Sequence, residues 1–175
     1  MKIKTNYKWL IKIVLISVVA SMVFTFASKE ILGLAGYLVA LAVLAVFVII
    51  GVVFDVIGVA VTSSAEAPFH SMAAHHERGA VESIQLIKNA DKVSSICNDV
   101  VGDVTGIISG TTAALIAARF MEGMKNENFL FSLLVLGVVT GLTVGGKSIG
   151  KTIAINNNTI IVLRVGKLIN MFHYR

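Results

Sequence analysis

Four long apolar stretches leave this chain few ways to fold. They lie at about residues 9–27, 31–61, 95–118 and 129–144. A helix needs roughly 20 apolar residues to span the hydrocarbon core of a bilayer. Inside lipid, only helices and closed barrels satisfy every backbone polar group. Charged residues make up 14% of the chain, well below the quarter usual in soluble domains, and the mean hydropathy is +0.86. We therefore expect an all-α, polytopic integral membrane protein with about four transmembrane helices. The second stretch is long enough to tilt or to run on into the cytosol. The fourth is short and flanked by glycines.

The N-terminus invites comparison with a signal peptide, because Lys2, Lys4 and Lys8 precede the first apolar run. That run exceeds the ~7–15 residues of a signal-peptide core, and another apolar stretch follows almost at once. We read it as a retained helix. Cys97 is the single cysteine, so no intramolecular disulfide framework is available. The formal charge of +5 fits cytoplasmic loops of a membrane protein better than nucleic-acid binding.

The positive charges orient the spans. Lys2, Lys4 and Lys8 precede the first. Arg78, Lys88 and Lys92 separate the second from the third. Lys147, Lys151, Arg164, Lys167 and Arg175 follow the fourth, and the opposite side has only Lys29, Arg119 and Lys125. The positive-inside rule then places the protein in the cell membrane, multi-pass, with both termini cytoplasmic.

Residues 64–92 are polar enough to leave the membrane. Pro68 suits the first turn of a helix, and Gly79 suits a break between two short juxtamembrane helices. In the tail, residues 153–175, Ile160, Ile161, Leu163, Leu168 and Phe172 oppose Arg164, Lys167 and Asn170. That pattern predicts an amphipathic helix at the cytoplasmic interface, in contact with membrane lipid. Packing of the same face on a partner subunit is the alternative.

Three aspartates lie inside the apolar stretches: Asp55, Asp99 and Asp103. An ionisable group at such depth is costly and usually faces a bundle interior, a partner charge or an ion path. Asp99, Gly102, Asp103, Gly106 and Gly110 recur at helical spacing, as do Gly51, Asp55, Gly58 and Thr62. Small residues at every fourth position let helix backbones approach closely. On this basis we expect the acids to face protein. Asp55, Asn98, Asp99, Asp103, Lys147 and Ser148 all fall near the cytoplasmic end of their spans, where they can line one acidic pocket. Its oxygens suit a hard cation such as Mg²⁺, which takes only one or two carboxylates. Buried structural pairing with Lys147, or a proton relay, are the competing readings.

Two motifs carry less than they promise. Residues 145–152 match GxxxxGK[ST], but a phosphate-binding loop needs a strand before it and a helix after it in an α/β domain. Here the match follows a membrane span. His70, His75 and His76, with Glu66 and Glu77, resemble a metal cluster, yet adjacent residues diverge on a helix. We read them as solvated. No nucleophile–base constellation emerges, so an enzyme is not expected.

The order of parts resembles the transmembrane domain of the cyclin M and CorB/CorC magnesium-transporter family. That domain has a helix opening on an F-F-S-G-S-E-type motif, then juxtamembrane helices. A helix with a G-N-x-x-x-N-type pattern follows, then a G-E-I-x-P-K ending and an amphipathic helix. The similar stretches here are Phe54-Asp55-Val56-Ile57-Gly58, residues 64–92, residues 98–105 and Gly146-Lys147-Ser148-Ile149-Gly150-Lys151 with the tail. The resemblance covers roughly residues 51–175, with residues 1–50 adding an N-terminal helix and the start of the second. It implies a dimer and a Mg²⁺ site. Asp55 falls near the family's ligand serine, Asp103 (or Asp99) near its first asparagine, Lys147 on its glutamate and Gly150 on its proline. The paired nucleotide-binding modules of that family have no counterpart in the sequence, so nucleotide is not expected.

The resulting expectation is a homodimeric carrier of a divalent cation, with Asp55, Asn98, Asp99, Asp103 and Ser148 as oxygen ligands and Lys147 as counter-charge. The alternative is a membrane scaffold or regulatory subunit that keeps the fold without a working ion site.

Overall fold

The computed structural model describes residues 7–34, 36–124 and 129–173. Lys2, Lys4, Lys125 and Arg175, which carry part of the charge asymmetry, lie outside them. Among the described residues every regular element is helical. In chain order these are α1 (Tyr7–Leu34), α2 (Tyr37–Ser63), α3 (Ala67–Ala74), α4 (Ala80–Lys88) and α5 (Ala90–Ser94). A π-helical segment (Ser95–Gly102) leads into α6 (Asp103–Met124), followed by α7 (Phe129–Asn156) and α8 (Asn158–His173). Among the described residues three helices are long and apolar enough to cross a membrane: Leu38–Ser63, Ala90–Phe120 and Leu130–Asn156. The expected first span, residues 9–27, is helical as part of α1.

Two boundaries differ from the sequence reading. Nothing around residues 27–31 breaks a helix, so α1 runs on to Leu34, and α2 begins after Gly36, whose carbonyl accepts from the N–H groups of Val39 and Ala40. The fourth stretch does not stop at residue 144. Its glycines are tolerated inside the helix, and α7 continues to Asn156.

The chain divides into two compact units. The first holds residues 1–51 and 100–145. Here α6 packs along α1 and buries Val104, Ile108, Ala113 and Ala117. It also buries Thr105, Ser109 and Thr112. Thr105 and Ser109 bond back to carbonyls of their own helix, which satisfies a hydroxyl without a partner elsewhere. Gly51 of α2 is needed for close approach, because a Cβ there would stand 2.5 Å from Thr105 Oγ1. The outer faces of α1 remain apolar and exposed, with Leu10, Ile11, Val14, Leu15, Val18 and Val19 all more than half uncovered.

The second unit holds residues 52–99 and 146–175. Its core joins Ala60, Val61, Phe69, Ile84, Ala154 and Val162, drawn from α2, α3, α4, α7 and α8. Pro68 sits in the first turn of α3, where its missing N–H is no loss. The chain then reverses through His76, at φ 55, and Gly79, at φ 82. Gly79 meets the backbone of Gly166 and Lys167 on α8, so this crossing is glycine against glycine. Ser83 seals it by donating to Gly79 O at 2.7 Å, with Val162 O at 3.2 Å. At the far end, Asn158 Nδ2 donates to Ser63 O at 2.9 Å and fixes the start of α8 against the end of α2.

Candidate functional site

Asp55 lies on α2 and is 5% exposed. Burying a carboxylate costs several kcal/mol unless charge or hydrogen bonds offset it. Its Oδ2 accepts no hydrogen bond. One turn along the same helix face, Gly58 opens room for Asn98, whose Oδ1 packs directly against it. Asn98 is anchored from the other end, its Nδ2 donating to Ser94 Oγ at 3.1 Å. The amide oxygen is thereby turned toward α2, where it too is buried and accepts no hydrogen bond. Native structures rarely leave such groups unsatisfied, so Asp55 on α2 and Asn98 against Gly58, one turn along, are the residues on which a candidate site rests.

Asn98 is carried by the π-helical segment. An i→i+5 turn is uncommon and recurs at functional sites. It also explains where the sequence reading failed. That reading placed Asp99 and Asp103 on one interior stripe by counting 3.6 residues per turn, but a π-helical turn changes the phase. Both are exposed on the chain, not interior. Within the single chain, a Cβ at Gly106, Gly110, Gly137, Gly141 or Gly145 would meet nothing within 4 Å.

Of the other expected ligands, Ser148 is exposed and Lys147 is half-buried and itself engaged. Asp103 belongs to the first unit, whereas Asp55, Asn98, Asp99 and Ser148 belong to the second. Among the described residues no group of three or more His, Cys, Asp or Glu side chains gathers in a metal-holding cluster. The histidines follow suit: His70 pairs with Glu66 at 3.3 Å, and His75 and His76 are exposed. The core of the site is thus one carboxylate and one amide.

One participant escaped the sequence reading. Lys151 Nζ stands 3.9 Å from Asp55 Oδ2. It is set there by Gly150, whose absent side chain lets α7 press on Val56; a Cβ would lie 2.7 Å from Val56 Cγ2. The available signal was spacing, since Lys151 follows Lys147 by four residues and shares its helix face.

Away from Asp55, a concavity of about 1190 Å³ opens between α3, α4 and α8 and is lined by His76, Glu77, Arg78, Glu82, Lys167 and Asn170 among others. Its charges are largely spoken for. Lys167 pairs with Glu77 at 3.1 Å, and Asn170 donates to Glu82 at 2.6 Å. No protein-family model, curated protein or solved structure matches the chain.

Proposed function

We propose that this protein binds a hard divalent cation, Mg²⁺ first, at Asp55 and Asn98, and carries it across the cell membrane. The observation behind the reading is the pair of buried oxygens without hydrogen-bond partners, one anionic on α2 and one neutral against Gly58, one turn along. Mg²⁺ dehydrates reluctantly and keeps several waters, so one carboxylate and one amide oxygen are an adequate protein share of its shell. Exposed Asp99 and Ser148 are available to a hydrated ion on its way in. With α1 crossing alongside the three candidate spans, the charge asymmetry puts both termini in the cytoplasm. The exposed Ile160, Leu168, Met171 and Phe172 of α8 then rest on lipid at that surface. No residue in the most apolar part of α7 is buried, which leaves that helix for lipid or a second copy of the chain.

The ion pair of Lys151 with Asp55 favours the other reading, a scaffold in which the acid is merely neutralised. Thermal unfolding of the detergent-solubilised protein against Mg²⁺ at fixed ionic strength separates the two. A ligand bound only by the folded state at a hundredfold excess over Kd adds about 2.7 kcal/mol. A rise in Tm that vanishes in Asp55→Asn, together with Mg²⁺ flux into proteoliposomes, supports a carrier. An unchanged Tm in the native protein sinks it and leaves the scaffold.

A further inference from the structure

We infer that Lys151 is a built-in competitor for the cation at Asp55: its ammonium holds the carboxylate when no metal ion is bound and must swing into solvent before one can bind. The inference rests on the cation reading of Asp55. Four features carry it. The separation of 3.9 Å lies within ion-pair range but beyond hydrogen-bond reach, and Asp55 Oδ2 indeed accepts no hydrogen bond. The contact is therefore electrostatic and loosely held. Next, the two partners differ in exposure: the lysine side chain is 54% exposed and the aspartate 7%. The acid cannot leave, and the lysine can. Third, the backbone at Gly150 is fixed against Val52 and Val56, so only the flexible four-carbon stem needs to move. Lastly, Asn98 Oδ1, a potential second ligand, has no contact with any donor that would have to be broken first.

The charges explain what the device does. Asp55 with Lys151 is neutral as a pair, and a divalent ion entering beside the ammonium meets like charge. When only a fraction of molecules is competent to bind, the apparent Kd rises by the inverse of that fraction. A lysine in place about 99% of the time would weaken binding about a hundredfold. The side chain thus sets the working concentration range of the site, and it returns as the ion departs.

The test uses the full chain in detergent with Mg²⁺ as the probe, read in two ways. The first is the Mg²⁺ dependence of Tm in the native protein, Lys151→Met and Lys151→Arg. The second is acylation of the Lys151 amine, quantified by peptide mass spectrometry during the titration, with exposed Lys88 as reference. The expected result is roughly hundredfold tighter Mg²⁺ binding in Lys151→Met, affinity kept near native in Lys151→Arg, and Lys151 acylation that rises with Mg²⁺ while Lys88 does not change. If the native protein binds Mg²⁺ but Lys151→Met binds no more tightly, the competitor is refuted and the cation site stands. If neither protein binds Mg²⁺, the cation site itself falls and the competitor with it. Should Lys151→Met fail to fold, acylation of the native protein decides: labelling that ignores a Mg²⁺ concentration sufficient to shift Tm overturns the inference.

Discussion

A double-mutant cycle at Asp55 and Lys151 should be strongly asymmetric. Unit charges about 4 Å apart attract by ~1 kcal/mol in water and ~4 kcal/mol at an effective dielectric of 20. With one partner half in water, the pair belongs toward the lower part of that range. Removing the lysine is a different matter, because Lys151→Met leaves an anion that is 5% exposed with no counter-charge. Stranding a buried charge costs about 3–5 kcal/mol, and the loose geometry points to the lower end, about 3. Asp55→Asn strands nothing, since the lysine extends into solvent, and it should cost about 1 kcal/mol, the worth of an imperfectly satisfied amide. The double variant should then resemble Asp55→Asn alone, with a coupling of about 2–3 kcal/mol. At roughly 2–4 °C per kcal/mol for a chain of this size, Lys151→Met should melt about 6–12 °C below the native protein. Differential scanning fluorimetry in a mild detergent, without divalent cations, is sufficient. Equal losses in the two single variants that simply add in the double would refute the reasoning, because the side chains would then not sense each other.

Two further outcomes follow from close contacts at glycine. Gly58→Ala drives a methyl into the carboxamide of Asn98, with Cγ at 2.8 Å, and should abolish the Mg²⁺ response of Tm while lowering Tm itself by only a few degrees; calorimetric titration with Mg²⁺ checks it. Gly166→Ala drives one into the carbonyl of Gly79 and the hydroxyl of Ser83, where backbone cannot yield. Overpacking of this kind costs about 1–3 kcal/mol, and limited proteolysis should cut first between α3 and α4.

Much of the architecture is legible in the residues because it depends on local chemistry. Apolar length alone predicts long helices at about residues 31–61, 95–118 and 129–144, and the structure has helices long and apolar enough to cross a membrane over 38–63, 90–120 and 130–156. Pro68 opens α3, and Gly79 separates α3 from α4, each through its own dihedral constraint. The amphipathic pattern of the tail predicts a helix, and α8 begins at Asn158, just after α7 ends at Asn156. Asp55 is likewise identifiable as costly from its surroundings in sequence.

What the residues did not reveal is which charges meet. The aspartate stripe rested on an unbroken period of 3.6, and the π-helical segment from Ser95 to Gly102 breaks that period. Asn98 was anticipated as a neutral ligand, but its orientation is set by Ser94 behind it and Gly58 in front, contacts 40 residues apart in sequence for the glycine. Lys151 reaches Asp55 only because Gly150 lets two helices touch, 96 positions apart along the chain.

Sequence by itself determined that this chain is helical, apolar and burdened with an acid in the wrong solvent, because those properties are sums over neighbouring residues. Tertiary structure alone decided which of three aspartates is buried, which amide packs against Gly58 one turn along from it and which of two lysines stands 3.9 Å away, because burial and pairing depend on the packing of distant segments.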